Sequence, residues 1–261
     1  MPYTLKTTGI ATNLIHCIGV ENGVVKDFKN SATISGWVDD ADAAIADPSS
    51  YFGSAQWRSA TSNSSSHEYF TPTATARPKF GTKPTFGLGT SRSIFVAFAD
   101  SGGNSGEATG QNRYFIGSTT NYVRADAYSG VIKTSMNSAS KSLYTSAGLA
   151  YAFTGQKSVL LSTTGTGGGG SVYVDGSIDS GASITSNNGL STFQPSYAGC
   201  NDLLANAFIG RIFLIAQFDT DVSSSAADLN DDWFGTLFDV SGASGVAIPV
   251  AMSHYARLRA S

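Results

Sequence analysis

The run Phe208-Ile209-Gly210-Arg211-Ile212-Phe213-Leu214-Ile215-Ala216-Gln217-Phe218 constrains this chain more than any other stretch. It is apolar at nearly every position, too short to span a bilayer, and too rich in β-branched and aromatic residues to prefer helix. It therefore predicts a strand buried on both faces. Upstream, Ser171-Val172-Tyr173-Val174 runs into Asp175-Gly176, a pair that supplies the positive φ angles of a tight hairpin turn. Asp175 is a tempting ligand by its place in this motif, but the turn is the simpler use for it.

The remaining strands are shorter and separated by turn chemistry. Residues 10–38 read as two or three strands broken at Glu21-Asn22-Gly23 and Lys29-Asn30, and Ser93 to Ala99 is a further buried strand. Arg113 to Gly117, Tyr122 to Tyr128, Val131 to Met136 and Leu149 to Leu161 continue as a meander. Prolines at 72, 78 and 84 forbid a helix between His67 and Phe80. One acid-capped helical turn is expected between Asp39 and Pro48, whose carboxylates lack the alternating spacing of a calcium loop. Leu229, Trp233 and Leu237 fall four apart and give one apolar helical face over 226–238, with Ser224 or Ser225 placed to cap its start.

Only 13% of the residues are charged, against the ~25% usual in globular chains. Ser, Thr, Gly and Asn fill the gap, which suits short strands and tight turns. With a net charge of −3 the chain has no pull towards nucleic acid, and no stretch approaches the apolar length of a membrane span. The start shows no signal-peptide pattern, so synthesis in the cytoplasm is expected. Cys17 and Cys200 have no C-x-x-C partner and no metal-ligand spacing with His16, His67 or His254, and read as two buried thiols, with a disulfide between them as the alternative. These features predict an all-β antiparallel sandwich of jelly-roll type over 1–239, one short helix near its end, and an extended tail over 240–261.

The Tyr173-Val174-Asp175-Gly176 strand and turn, followed by the Phe208–Phe218 strand and a short helix ending in Trp233-Phe234-Gly235-Thr236-Leu237-Phe238, resembles the laminin G-like domains of the concanavalin A-like lectin/glucanase superfamily. The terminal helix is similar to the one that ends such domains in bacteriophage virion proteins, without the proline that precedes the Trp there. The resemblance covers roughly residues 10–238, and Asp27-Phe28-Lys29-Asn30-Ser31 fits the family's early Asp-containing turn loosely. Glucanases of this superfamily carry an E-x-D-x-x-E strand with carboxylates about 5–5.5 Å apart. Glu21, Glu68 and Glu107 are the only glutamates here and none fits that spacing, nor is there a G-x-S-x-G elbow. A non-enzymatic protein is expected.

Sandwiches of this superfamily hold sugars with aromatic rings and loop amides, often supported by calcium. A sugar's C–H face stacks on a ring while its hydroxyls bond to amide and carboxylate groups. Tyr51, Trp57, Tyr122 and Tyr128 are the candidate rings, each equally able to serve as core. Asp100, Asn104 and Glu107 are the candidate calcium ligands of the loop after the Ser93–Ala99 strand; no other cofactor is implied. The phage-like helix and the charge-poor composition together lead to a virion surface protein: a capsid decoration protein or tail-fibre-like appendage. Its expected partners are other virion proteins, its own copies and host cell-surface glycans. A free carbohydrate-binding lectin is the alternative.

Overall fold

The strand Gly210–Phe218 lies in the middle of the larger sheet, paired antiparallel with Ser91–Asp100 on one side and Leu14–Glu21 on the other. Outward from Ser91–Asp100 come Gly155–Thr164, Gly170–Val174 and Ser177–Ile178; outward from Leu14–Glu21 come Val24–Asp27 and Ala32–Thr33. Ser66–Phe70 joins through Ile212 opposite Phe70 and carries Phe52–Gln56 beside it. A second sheet runs Arg113–Gly117, Tyr122–Asp126, Val131–Ser135, Ser142–Tyr144, Ser183–Ile184. The computed structural model describes residues 3–30, 32–34, 36–58, 66–73, 75–86, 91–100, 112–118, 121–126, 131–135, 142–144, 155–164, 169–184 and 193–239. The expected tail, 240–261, lies outside them.

The larger sheet is buried on both faces, which explains the unbroken apolar run. On one face Ile18, Val20, Ile94, Val96, Phe98, Val159, Leu161, Ile212 and Ile215 meet Phe115, Val123 and Ile132 of the second sheet. On the other, Cys17, Phe95, Ala97, Leu160, Phe213, Leu214, Ala216 and Phe218 meet the helix Ala226–Leu237 through Leu229, Trp233 and Leu237. A shift in pairing register between Ile212 and Leu214 places an extra residue in the strand. Phe213 and Leu214 therefore both pack on the helix side while Ile212 and Ile215 pack on the sandwich side. The fold is the all-β antiparallel sandwich that the strand pattern predicts, with its single α-helix where Leu229, Trp233 and Leu237 place it.

Two local expectations are corrected. Ser225 precedes the helix without a side-chain cap bond, because Ser223–Ser225 is itself a 3-10 turn whose Ser223 N–H is taken by Asp221 Oδ1 at 2.8 Å. The Asp39–Pro48 segment forms a turn instead of a helical turn. Asp39 Oδ1 accepts the N–H groups of Ala41 and Ala43, and Ile45 N–H reaches back to the Trp37 carbonyl. The Asp175–Gly176 turn is as expected, with φ of 51° and 78°. Cys17 and Cys200 are buried free thiols, each pushed up in pKa by burial, Cys200 to about 12.

Candidate functional site

The hairpin Leu14–Glu21/Val24–Asp27 places Asp27 opposite Ile18, and His16 lies two residues further along the same strand. At this hairpin's open end lies a cleft of about 430 Å³. Its apolar lining comes from Ile15, Ile34, Phe80 and Pro84, and its polar rim from Asn30, Thr82, Lys83 and Thr85. His16 Nδ1 donates to Asp27 Oδ2 at 2.8 Å, and Nε2 lies 3.1 Å from the Thr85 carbonyl. The imidazole stacks on Phe86 at 4.9 Å, and Phe86 stacks on Phe193 at 5.6 Å. Paired backbone bonds between Phe86 and Phe193 fix that wall.

Asp27 organises the site. Oδ1 accepts the N–H of Cys17 and of Lys29, and Oδ2 accepts from His16 and from Asn30 Nδ2 at 2.7 Å. Burial alone would raise its pKa, but these bonds to the charged form outweigh it and hold the carboxyl below its ordinary value. A carboxylate with four donors is a strut and not a base waiting for a proton. The Asn30 amide nitrogen is also committed, to Asp27 and to the Ile15 carbonyl at 3.0 Å, while the residue itself is exposed at the rim.

The expected stacking rings lie elsewhere, and two of them have no open face. Trp57 is 2% exposed, packed on Phe213 and Trp233 with its Nε1–H on the Asn230 carbonyl at 2.8 Å. Tyr122 is 5% exposed beneath the Arg124 guanidinium, 3.9 Å above its ring, and Arg124 also donates to Tyr114 Oη. Both rings are spent on packing, which removes them as platforms. Tyr51 is half-buried and stacks on Trp37 at 5.0 Å, so it keeps an edge towards solvent. Tyr128, Asn104 and Glu107 lie outside the described residues, and of Asp100 only the backbone, ending its strand, is described. Among the described residues no group of three or more His, Cys, Asp or Glu is set to hold a metal ion.

His16, Asp27 and Asn30 were not singled out as site residues from the sequence. Their signal is indirect: Asn22-Gly23 fixes the hairpin, and its register carries Asp27 back towards His16. Thr85 and Phe80 arrive from a segment more than fifty residues away, which no local pattern connects to the hairpin.

The sequence matches no family model and no curated protein. In structure the chain is similar to domain 4 of AbnA, an extracellular arabinanase of Geobacillus stearothermophilus solved with arabinotriose. That match has a TM-score of 0.53 at 13% identity and covers 88% of this chain and 100% of that one. It is also similar to the botulinum neurotoxin serotype C1 binding domain, with TM-score 0.49, 10% identity and 87% of this chain covered. Trypanosoma rangeli sialidase matches with TM-score 0.44, 12% identity and 85% of this chain covered. The chain spans about half of the neurotoxin domain's length (53%) and a third of the sialidase's (33%).

Proposed function

We propose that this chain is a non-catalytic carbohydrate-binding sandwich and that the Asp27 cleft is its glycan seat. The carrying observation is the cleft's construction: an apolar lining of Ile15, Ile34, Phe80 and Pro84 beneath a rim of amide, hydroxyl and ammonium groups. Such a surface suits a sugar, whose C–H patches want apolar contact while its hydroxyls want bonds. The volume lies within the range of small-ligand pockets. With its nitrogen committed, the Asn30 amide offers its carbonyl oxygen to a ligand hydroxyl. The arabinotriose-bound domain of matching size lends support by fold and by its own ligand. A binding role also accords with the carboxylates that serve as scaffold: Glu68 accepts the N–H groups of Asn22 and Gly23, and Glu21 holds Lys26.

Calorimetric titration of the chain with arabinotriose and a panel of neutral oligosaccharides tests this. At least one should bind, and Asn30→Ala should weaken it roughly tenfold, the value of about 1.4 kcal/mol. If no neutral oligosaccharide gives heat or shifts an amide resonance at the cleft, the reading is overturned.

As its setting we propose the surface of a bacteriophage particle, as decoration protein or fibre-like appendage. The charge-poor, Ser/Thr/Gly-rich composition and the terminal helix favour it over a free lectin. Mass spectrometry of purified particles decides between them: hundreds of copies indicate decoration, a few tens an appendage, and absence leaves the free lectin.

A further inference from the structure

On the helix side of the larger sheet, away from the cleft, two aromatic rings that pack on a third carry an arginine each. Trp57 and Tyr69 pack edge-on against Phe213, at 5.3 and 5.5 Å. The Arg58 guanidinium lies over Trp57 at 5.1 Å, and that of Arg211 over Tyr69 at 4.8 Å. The Tyr69 seat is built on purpose-shaped backbone: Tyr69 is directly opposite Gly53, and a Cβ there would fall 2.3 Å from the Tyr69 hydroxyl oxygen. Arg58 holds a left-handed φ of 44°, uncommon for a residue with a long side chain. Its N–H donates to Gln156 Oε1 at 2.6 Å and its Nη2 to Asp175 Oδ1 at 2.6 Å. Lys157 Nζ reaches the other Asp175 oxygen at 2.7 Å.

Two cations, Arg58 and Lys157, thus share one carboxylate, with Arg211 on the neighbouring ring, in a chain whose overall charge is negative. The side chains of Arg58, Lys157 and Asp175 are each about a quarter exposed, at 24%, 27% and 27%, and Arg211 is exposed. Gln156, which takes the Arg58 N–H, and Arg211 both lie opposite Ala99, on the strands that flank it. A left-handed backbone at Arg58 and two guanidiniums seated on rings that pack on one Phe213 are what a site for an anion needs: the cations are ordered before the ligand arrives.

We propose that the Arg58–Lys157–Arg211 face binds the anionic groups of an acidic polysaccharide, carboxylate or sulfate. Guanidinium forks bond either group with two parallel N–H donors. The site is separate from the neutral-glycan cleft and does not depend on it.

The test is affinity electrophoresis of the full chain through gels containing polygalacturonate, dextran sulfate or neutral dextran, with the variants Arg211→Gln, Tyr69→Leu and Lys29→Gln. Retardation by polygalacturonate, dextran sulfate or both, abolished by raised salt, is expected; which of the two retards more identifies the anion. Arg211→Gln should weaken it roughly tenfold by removing charge-assisted bonds, with unchanged melting temperature. Tyr69→Leu should weaken it less, and Lys29→Gln, an exposed cation outside the cluster, should leave it unaltered. Equal mobility in all three gels overturns the proposal. So does equal loss in Arg211→Gln and Lys29→Gln, since that means charge without a site.

Discussion

Asp27 shows how much one buried carboxylate can hold. Two main-chain donors and two side-chain donors converge on it, joining both strands of the first hairpin to the imidazole that walls the cleft. Asp27→Ala should destabilise the chain by about 2–3 kcal/mol, because buried donors lose their acceptor; urea unfolding followed by tryptophan fluorescence measures it. The same bonds fix a pH dependence. The folded carboxyl titrates below its ordinary 3.8, so in acid the unfolded chain takes up the proton first. The stabilisation is complete above about pH 4 and is lost as pH falls through the folded value. Asp175 and Asp221, lowered by Lys157, Arg58, Ser162 and Ser223 against the effect of burial, add to the same slope. His67 extends it upward: burial lowers its pKa from 6.5, partly opposed by Asp232, so its contribution is present above that value and lost in acid. Stability measured between pH 3 and 7 should rise with pH, and less steeply in Asp27→Asn. At this scale the sequence was least legible. Trp57 and Tyr122 carry the residue types of a sugar platform, yet burial is decided by what packs on a ring: Trp233, from a helix remote in sequence, on Trp57, and Arg124, two residues along the same strand, on Tyr122.

At the scale of elements, the helix Ala226–Leu237 does for one face of the larger sheet what the second sheet does for the other. It carries a kink at Asp232, with φ −150° and ψ 73°, where Asp232 Oδ1 accepts the Gly235 N–H and restarts the last turn. The Trp57 indole N–H, bonded to the Asn230 carbonyl, fastens the helix to the sheet edge just before that kink. Trp57→Phe keeps the ring packing and removes this bond, so it should cost about 1–2 kcal/mol. Leu229→Ala, at a fully buried position, should cost more, about 2–5 kcal/mol. Chemical denaturation of both variants checks the order; equal losses would mean the indole bond and not burial anchors the helix. This element was readable in advance because its three apolar residues share one face at helical spacing. Its kink was not, since Asp232 caps through a carboxylate indistinguishable in sequence from Asp228 and Asp231.

At the scale of the whole molecule, the two ends of the sandwich are sewn together. Thr4–Leu5 pairs antiparallel with Phe238–Asp239, and Lys6 N–H reaches the Leu237 carbonyl. Tyr3 packs its ring on Phe28, Phe234 and Phe238, at 5.9, 4.8 and 5.8 Å. The antiparallel meander from Arg113 to Ser135 was legible from turn chemistry, but Gly155–Thr164, expected to continue it, pairs instead with Ser91–Asp100 in the larger sheet, and a two-residue strand pairing across the length of the chain has no local signature either. Its consequence is large because Phe234 and Phe238 form the outer wall of the core beneath the helix. Removing residues 1–8 uncovers that wall and leaves the last strand without a partner. The truncated chain should unfold at lower urea, by about 2–4 kcal/mol from Tyr3 burial and the lost backbone bonds together. Amide exchange should quicken first across Ala226–Asp239, while the strands Ser91–Asp100 and Gly155–Thr164 stay protected. If exchange instead quickens equally in those central strands, the terminal pairing is part of the global folding unit and not a local clasp on the helix.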